Sequence, residues 1–303
     1  MILLRFQEVR TDMNIGKTIF SQLIDLISHH EFNKCVERYH GHYKVKDFSC
    51  WDQYLAMIYA QLTYRESLRD IQESLSAGQN KLYHMGFRGR VRRNTLANAN
   101  AVRDWRVYQD FAHVLIAQAQ KLYRGQEAEI DFQQMVYALD STTIDLCLSL
   151  FPWAKFRKRK GAIKLHTLID VQSQIPVCIT ITNGKVHDVN ILDEMFFEPA
   201  AIYVMDRGYV DFQRFFKIHQ ASAFFITRAK SNIQFRRHQS LPVEKASGVL
   251  CDQMVVLSTR AARQDYPDKL RRIVYRDPIA NNLYAFITNN FLLPAAIIAL
   301  LYK

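Results

Sequence analysis

Asp140 and Asp206 are the residues of this 303-residue chain best placed to do chemistry. Each sits in an apolar run, "YALDSTTID" and "YVMDRGY". A carboxylate in such a setting needs a partner, a hydrogen-bond network or a metal, because desolvating it alone costs several kcal/mol. Two carboxylates brought side by side repel unless a divalent cation neutralises them. Oxygen ligands with open positions favour Mg²⁺ or Mn²⁺. Two such ions about 4 Å apart clamp the attacking and leaving oxygens of an in-line phosphoryl displacement. The competing reading makes both aspartates turn or cap residues at strand ends.

Basic residues surround these positions in sequence. "WAKFRKRKGAIK" carries Lys155, Arg157, Lys158, Arg159, Lys160 and Lys164 with no acid between them. "RAKSNIQFRR" adds Arg228, Lys230, Arg236 and Arg237, with Phe235 available for base stacking. Arg207 directly follows the second aspartate, where a phosphate would be in reach. Further upstream, Arg88, Arg90, Arg92 and Arg93 stand just ahead of an expected helix, capped by Asn94 or Thr95. Side-chain charge and free backbone N–H groups converge at such a place and suit phosphate contact. Either cluster is otherwise a solvated face. The net charge of +11 favours an anionic partner, with nucleic acid the first candidate.

The elements that must position these residues fall into two halves. Up to about residue 125 the pattern is helical. "CWDQYLAMIYAQL" has apolar residues at three-to-four spacing and leads into "TYRESLRDIQESL". Thr63 and Glu66 match a capping box, which predicts a helix from Tyr64 and a pair compatible with a helix-turn-helix. From Met135 the pattern changes to β-branched and alternating runs: "MVYALDSTTIDLCL", "GAIKLHTLIDV", "IPVCITITNG", "AIYVMD" and "AFFITRAK". Helices are expected at "DVNILDEMF" and "VDFQRFFKIHQA". The order β-β-β-α-β-α-β predicts a mixed α/β class, a mixed sheet with helices packed against it. In a ribonuclease-H-like sheet of this order the first and fourth strands are neighbours, which sets Asp140 beside Asp206. Residues from about 231 to 290 read as a β-rich insertion. "NNFLLPAAIIALLYK" reads as a closing helix capped by Asn290, with Pro294 in its first turn.

The five cysteines lack metal-ligand or CxxC spacing and read as reduced, mostly buried thiols of a cytoplasmic protein. No apolar run approaches the length of a membrane span.

"LDSTTIDLCLSLFPWAKFRKRKGAIKLHTLID", "GKVHDVN", "YVMDRGYVDFQRF" and "FFITRAKSN" closely resemble the DDE transposases of bacterial insertion sequences, family four. "FSCWDQYLAMIYAQLTYRESLRDI" and the Arg88–Arg93 region resemble that family's N-terminal DNA-binding part. The resemblance runs from about Met13 to Lys303. It implies a helical DNA-binding domain over 13–125 and a ribonuclease-H-like catalytic domain over 126–303. Residues 1–12 would be an upstream extension. It also implies Mg²⁺- or Mn²⁺-dependent cleavage at transposon ends and strand transfer into target DNA, by a homo-oligomer on DNA. Asp140 and Asp206 match the first two catalytic aspartates. His187 and Asp188 match a motif near the active site, though His187 serves equally as a helix cap.

The family's third acid is a glutamate in a Tyr-x-x-Arg-x-x-x-Glu signature, of which Tyr302 matches the tyrosine. The arginine and glutamate would fall past Lys303, so the expectation is an interrupted chain one acid short, with little or no cleavage activity. Glu244 is the only glutamate after Asp206 and lacks the helical context. The alternative is a non-catalytic DNA-binding remnant, or an inhibitor of the intact transposase.

Overall fold

A computed structural model describes residues 17–123, 134–146, 155–157, 160–244 and 247–303. The chain divides into two compact units, Met1–Leu115 and Ile116–Lys303.

The first unit is helical: α1 (Ile19–Ile24), α2 (His29–Arg38), α3 (Cys50–Leu62), α4 (Leu68–Ala77), α5 (Arg93–Val102) and the start of α6 (Arg106–Tyr123). The division falls within α6 rather than after residue 125. Serines start three of the helices. Ser28 accepts from the Glu31 N–H, Ser49 forms a full capping box with Asp52, and Ser67 accepts from the Asp70 N–H. One core packs Phe20, Leu55, Leu75, Phe87 and Leu96, and another packs Phe32, Val36 and Phe111.

Two expectations are corrected here. Thr63 does not start a helix; it closes α3, its hydroxyl donating to the Tyr59 carbonyl at 2.7 Å. Tyr64 then takes a left-handed φ of 55°, and α4 starts only at Leu68. The helix after the arginine loop starts at Arg93 without a side-chain cap, and its leading N–H donates to Gln72 instead. It also breaks after Val102. Arg103 turns extended there, and its guanidinium donates to the Phe48 and Ser49 carbonyls and to Gln53.

The second unit is built on a sheet of ten strands among the described residues. They are β1 (Val136–Leu146), β2 (Lys155–Arg157), β3 (Lys160–Asp170), β4 (Ile175–Asn183), β5 (Ile202–Met205), β6 (Phe224–Arg228), β7 (Phe235–Leu241), β8 (Val249–Leu257), β9 (Leu270–Arg276) and β10 (Leu283–Thr288). Helices α7 (Phe212–Gln220), α8 (Arg260–Asp265) and α9 (Ala295–Tyr302) complete it. The order is β2-β3-β1-β5-β6-β10-β9-β8-β7, with β4 also on β3. β1, β5 and β6 run parallel, and the other pairs are antiparallel. The mixed α/β class and the adjacency of the first and fourth predicted strands are therefore found.

Strand alternation divides the apolar residues between two faces. Tyr137, Leu139, Tyr203 and Met205 join Phe215 of α7 in one core. Val136, Ile202 and Val204 join Ile298 and Ala299 of α9 in the other.

Other differences concern shorter pieces. The region 231–290 is β-rich as expected. It is continuous with the main sheet, because β10 returns to pair with β6, and it contains the helix α8. "DVNILDEMF" forms only a 3-10 segment, Asp188–Asp193, and His187 makes no side-chain cap to it. Asn290 does not cap α9, whose N-cap is Pro294. Its side chain instead accepts from the Leu292 and Leu293 N–H groups, forming a local turn. Cys35 and Cys50 are buried, whereas Cys178 is exposed.

Candidate active site

The parallel pairing of β1 with β5 aligns Leu139 with Met205. The next residue on each strand is Asp140 and Asp206, so the two aspartates occupy the same rung of the sheet. Period-two alternation puts both on the face covered by α9, continuing Val136 on one strand and Ile202 and Val204 on the other. Both are exposed, at the point where the apolar core stops.

Their surroundings differ. Asp140 has no hydrogen-bond or ion-pair partner among the described residues. Asp206 accepts through Oδ1 from Arg228 at 3.0 Å and from the Tyr302 hydroxyl at 3.1 Å. Arg228 in turn lies over the Tyr302 ring, 5.6 Å from its centroid. Partial burial works to raise the Asp206 carboxyl, but Arg228, the Arg207 N–H and Tyr302 outweigh it and hold it below the ordinary carboxylate range. Burial pushes the Tyr302 phenol up to about 12, and the Asp206 charge adds to that. Tyr302 of α9 thus reaches the face that carries the two aspartates.

The opposite face of the same rungs carries residues that the sequence did not reveal. Ser141 pairs with His166 across β1 and β3. His166 is buried, with Nε2 2.9 Å from the Thr182 hydroxyl and Nδ1 without a hydrogen bond. Burial lowers its pKa, opposed by the charge of Asp188. Tyr209 follows Asp206 on a 3-10 turn, and its own hydroxyl is buried near Ser141 without a hydrogen bond of ordinary geometry. Burial pushes this phenol up; Ser141 opposes the shift, and the charges of Asp188, Asp140 and Asp206 add to it. Serine and tyrosine at these spacings read only as strand and turn residues, and no sequence signal marks them.

The basic residues separate. Arg88, Arg90, Arg92 and Arg93 are exposed in the first unit. Lys155, Arg157 and Lys160 lie in β2 and β3, while Lys158 and Arg159 fall outside the described residues. Lys164 is turned inward, 14% exposed, with Nζ 2.7 Å from the Val186 carbonyl and 3.0 Å from Asp188. Arg228 is committed to Asp206. Neither is a free phosphate contact. Arg207 is exposed, and Lys230 is half-buried with Nζ 3.5 Å from the Val210 carbonyl. Phe235 is half-buried and packs against the core, and it also lines a shallow pocket with Lys230, Arg237 and Arg272. Glu244 follows β7, five strands from β5, roughly 24 Å at ordinary strand spacing. That separation does not bring it beside Asp140 and Asp206. Among the described residues no three His, Cys, Asp or Glu side chains cluster as a metal site.

Residues 131–303 match the family model described as "Transposase DDE domain". The chain belongs to the DDE transposase domain family. Residues 15–88 match a second family, "Domain of unknown function (DUF4372)". Among curated proteins, the chain is 32% identical over 212 residues to "Putative transposase y4zB" of Sinorhizobium fredii, covering 69% of this chain and 57% of that one. It is 25% identical over 185 residues to "Probable transposase for insertion sequence element IS5377" of Geobacillus stearothermophilus, covering 60% and 48%. The DDE chain thus spans about half the length of these relatives. A cryo-EM structure titled as a piggyBac transposase synaptic complex with hairpin DNA aligns at a TM-score of 0.44 and 10% identity, over 92% of this chain and 63% of that one. The DDE domain has no helix, among the described residues, long and apolar enough to cross a membrane.

Proposed function

We propose that this chain acts on DNA as an insertion-sequence transposase, with Asp140 and Asp206 holding divalent metal and the basic surfaces holding DNA. One observation carries the reading. Two aspartates share a rung of adjacent parallel strands, on the face that also receives the tyrosine ending α9.

The donors fit a hard divalent cation such as Mg²⁺ or Mn²⁺. Both are carboxylates, and Asp140 is exposed and unpartnered among the described residues. On Asp206 the Arg228 and Tyr302 side chains both donate to Oδ1. Asp140 and Asp206 would hold such a cation, which would supply Lewis-acid activation of a hydroxyl nucleophile and charge neutralisation at the phosphate. The protein's part is to fix the donors. β1 and β5 set the spacing, while Arg228 and Tyr302 restrict the Asp206 rotamer. Arg207, exposed directly after Asp206, is positioned to meet a phosphate. The DNA substrates would be the element's ends and the target, engaged by a homo-oligomer in the cytoplasm.

A second reading, a non-catalytic DNA-binding protein, is favoured by the two-carboxylate donor set among the described residues. One experiment separates the two. DNA nicking is measured in Mg²⁺ and Mn²⁺ for the wild type, D140N and D206N, alongside DNA binding in EDTA. The transposase reading expects any metal-dependent nicking by the chain to be abolished by both substitutions while binding persists. Metal-dependent nicking that survives both substitutions contradicts it. Binding without any wild-type nicking is the outcome of the second reading.

A further inference from the structure

A cleft of about 1180 Å³ opens in the first unit, between the segment around residues 39–48 and the loop Arg88–Arg92 that leads into α5. Its size exceeds that of an ordinary small-molecule pocket, roughly 300–1,000 Å³, and suits part of a polymer. One wall carries Lys44 and Lys46; the other carries Arg88, Arg90 and Arg92. All five are exposed, and none has a salt bridge among the described residues. The acids nearby are mostly committed. Asp52 is buried in the capping box at the start of α3, and Asp104 pairs with Arg106. Asp47 alone opposes the five cations without such a partner.

Both walls are held in shape. Phe87 and Val91 are buried and anchor the arginine loop, while the Arg88 N–H donates to Asp52 at 3.2 Å. Asp52 also accepts from the Ser49 N–H, so one buried carboxylate ties the loop to the start of α3. On the lysine wall, His40 and Lys44 both take left-handed φ values of 51° and 55°. Non-glycine residues avoid that conformation at a cost of order 1 kcal/mol each. The segment is thus held in a defined turn beside the unpaired cations.

We propose that this cleft grips the DNA phosphate backbone from two sides, with Lys44 and Lys46 facing Arg88, Arg90 and Arg92. The proposal rests on the transposase reading, and it adds a second wall, Lys44 and Lys46, to the arginine loop. Lys44 and Lys46 have no counterpart among the residues that the sequence singled out.

The test is fluorescence anisotropy of a labelled duplex across a salt series, using the whole chain. Each phosphate contact contributes about 0.9 to the slope of log K against log salt. K44N/K46A is the decisive variant, since asparagine tolerates the left-handed backbone at position 44. It should lower the slope by about 1.8 and weaken binding at least tenfold at 0.15 M salt, as R90A/R92A should. The control R69A/K81A removes the same charge from exposed positions outside the cleft and should change binding less than threefold. Matching thermal melts for all variants verify the fold. If K44N/K46A behaves like R69A/K81A while the wild type binds DNA, the two-sided cleft is wrong and the transposase reading stands. A wild type that binds no duplex at low salt overturns both.

Discussion

Replacing Arg271 with alanine should loosen the face that carries Tyr302 to Asp206. Arg271 and Asp252 are 5% and 3% exposed, and they form a two-pronged pair with contacts of 2.9 and 2.6 Å between β9 and β8. The remaining guanidinium nitrogen donates to the Asn290 and Leu293 carbonyls, at 3.2 and 2.6 Å, just ahead of α9. Breaking a buried pair from one side leaves an uncompensated charge and costs about 3–5 kcal/mol. The two freed carbonyls add to that cost. Because the chain has two compact units, hydrogen exchange read by peptide is a better assay than a single unfolding curve. At about 1.4 kcal/mol per decade, amides of β8, β9 and α9 should exchange about two to three and a half orders of magnitude faster. Amides of α2 and α3 should not change. The double variant D252L/R271M removes both charges and should recover most of the protection. Exchange within tenfold of the wild type in R271A, or a double variant as fast as the single, would refute this reasoning.

Further outcomes follow from other contacts. Arg228→Met should raise the Asp206 carboxyl pKa, and Tyr302→Phe should raise it less, as read by carboxyl NMR. Since that pKa is depressed in the fold, its stabilising effect is present above the unfolded value, about 3.9, and fades as pH falls through the folded one; R228M should flatten that acid limb. Burial lowers the His166 pKa, so its contribution is complete above about pH 6.5 and is lost as pH falls through the folded value. His166→Gln should remove that part of the pH dependence of melting. Ser67→Ala should cost α4 about 1 kcal/mol, whereas Thr63→Ala should leave its first turn protected from exchange.

The long strands were legible because β-branched and alternating runs have few other uses, and their order fixed which aspartates would be neighbours. Two other strands were not. β2 has three residues, and β7, "FRRHQSL", is a charged, exposed edge strand that reads as a basic loop. Thr63 and Glu66 imitated a cap that Ser67 supplies, since a three-residue spacing recurs by chance in polar turns. The break at Arg103 was invisible because its cause is tertiary, a guanidinium bonded to carbonyls more than fifty positions away. Charge was legible, but its direction was not. Lys164 and Arg228 look like Arg90 in sequence, yet both are paired with carboxylates. Tyr209 and Ser141 gained significance only once β1 and the turn after Asp206 were set together.

Manganese affinity tests the central claim most directly. Calorimetry or electron paramagnetic resonance on the whole chain should show Mn²⁺ binding that D140N and D206N each weaken at least tenfold and that E244Q leaves unchanged. Equal Mn²⁺ affinity in the wild type, D140N and D206N would contradict the assignment of these two aspartates as a metal-holding pair.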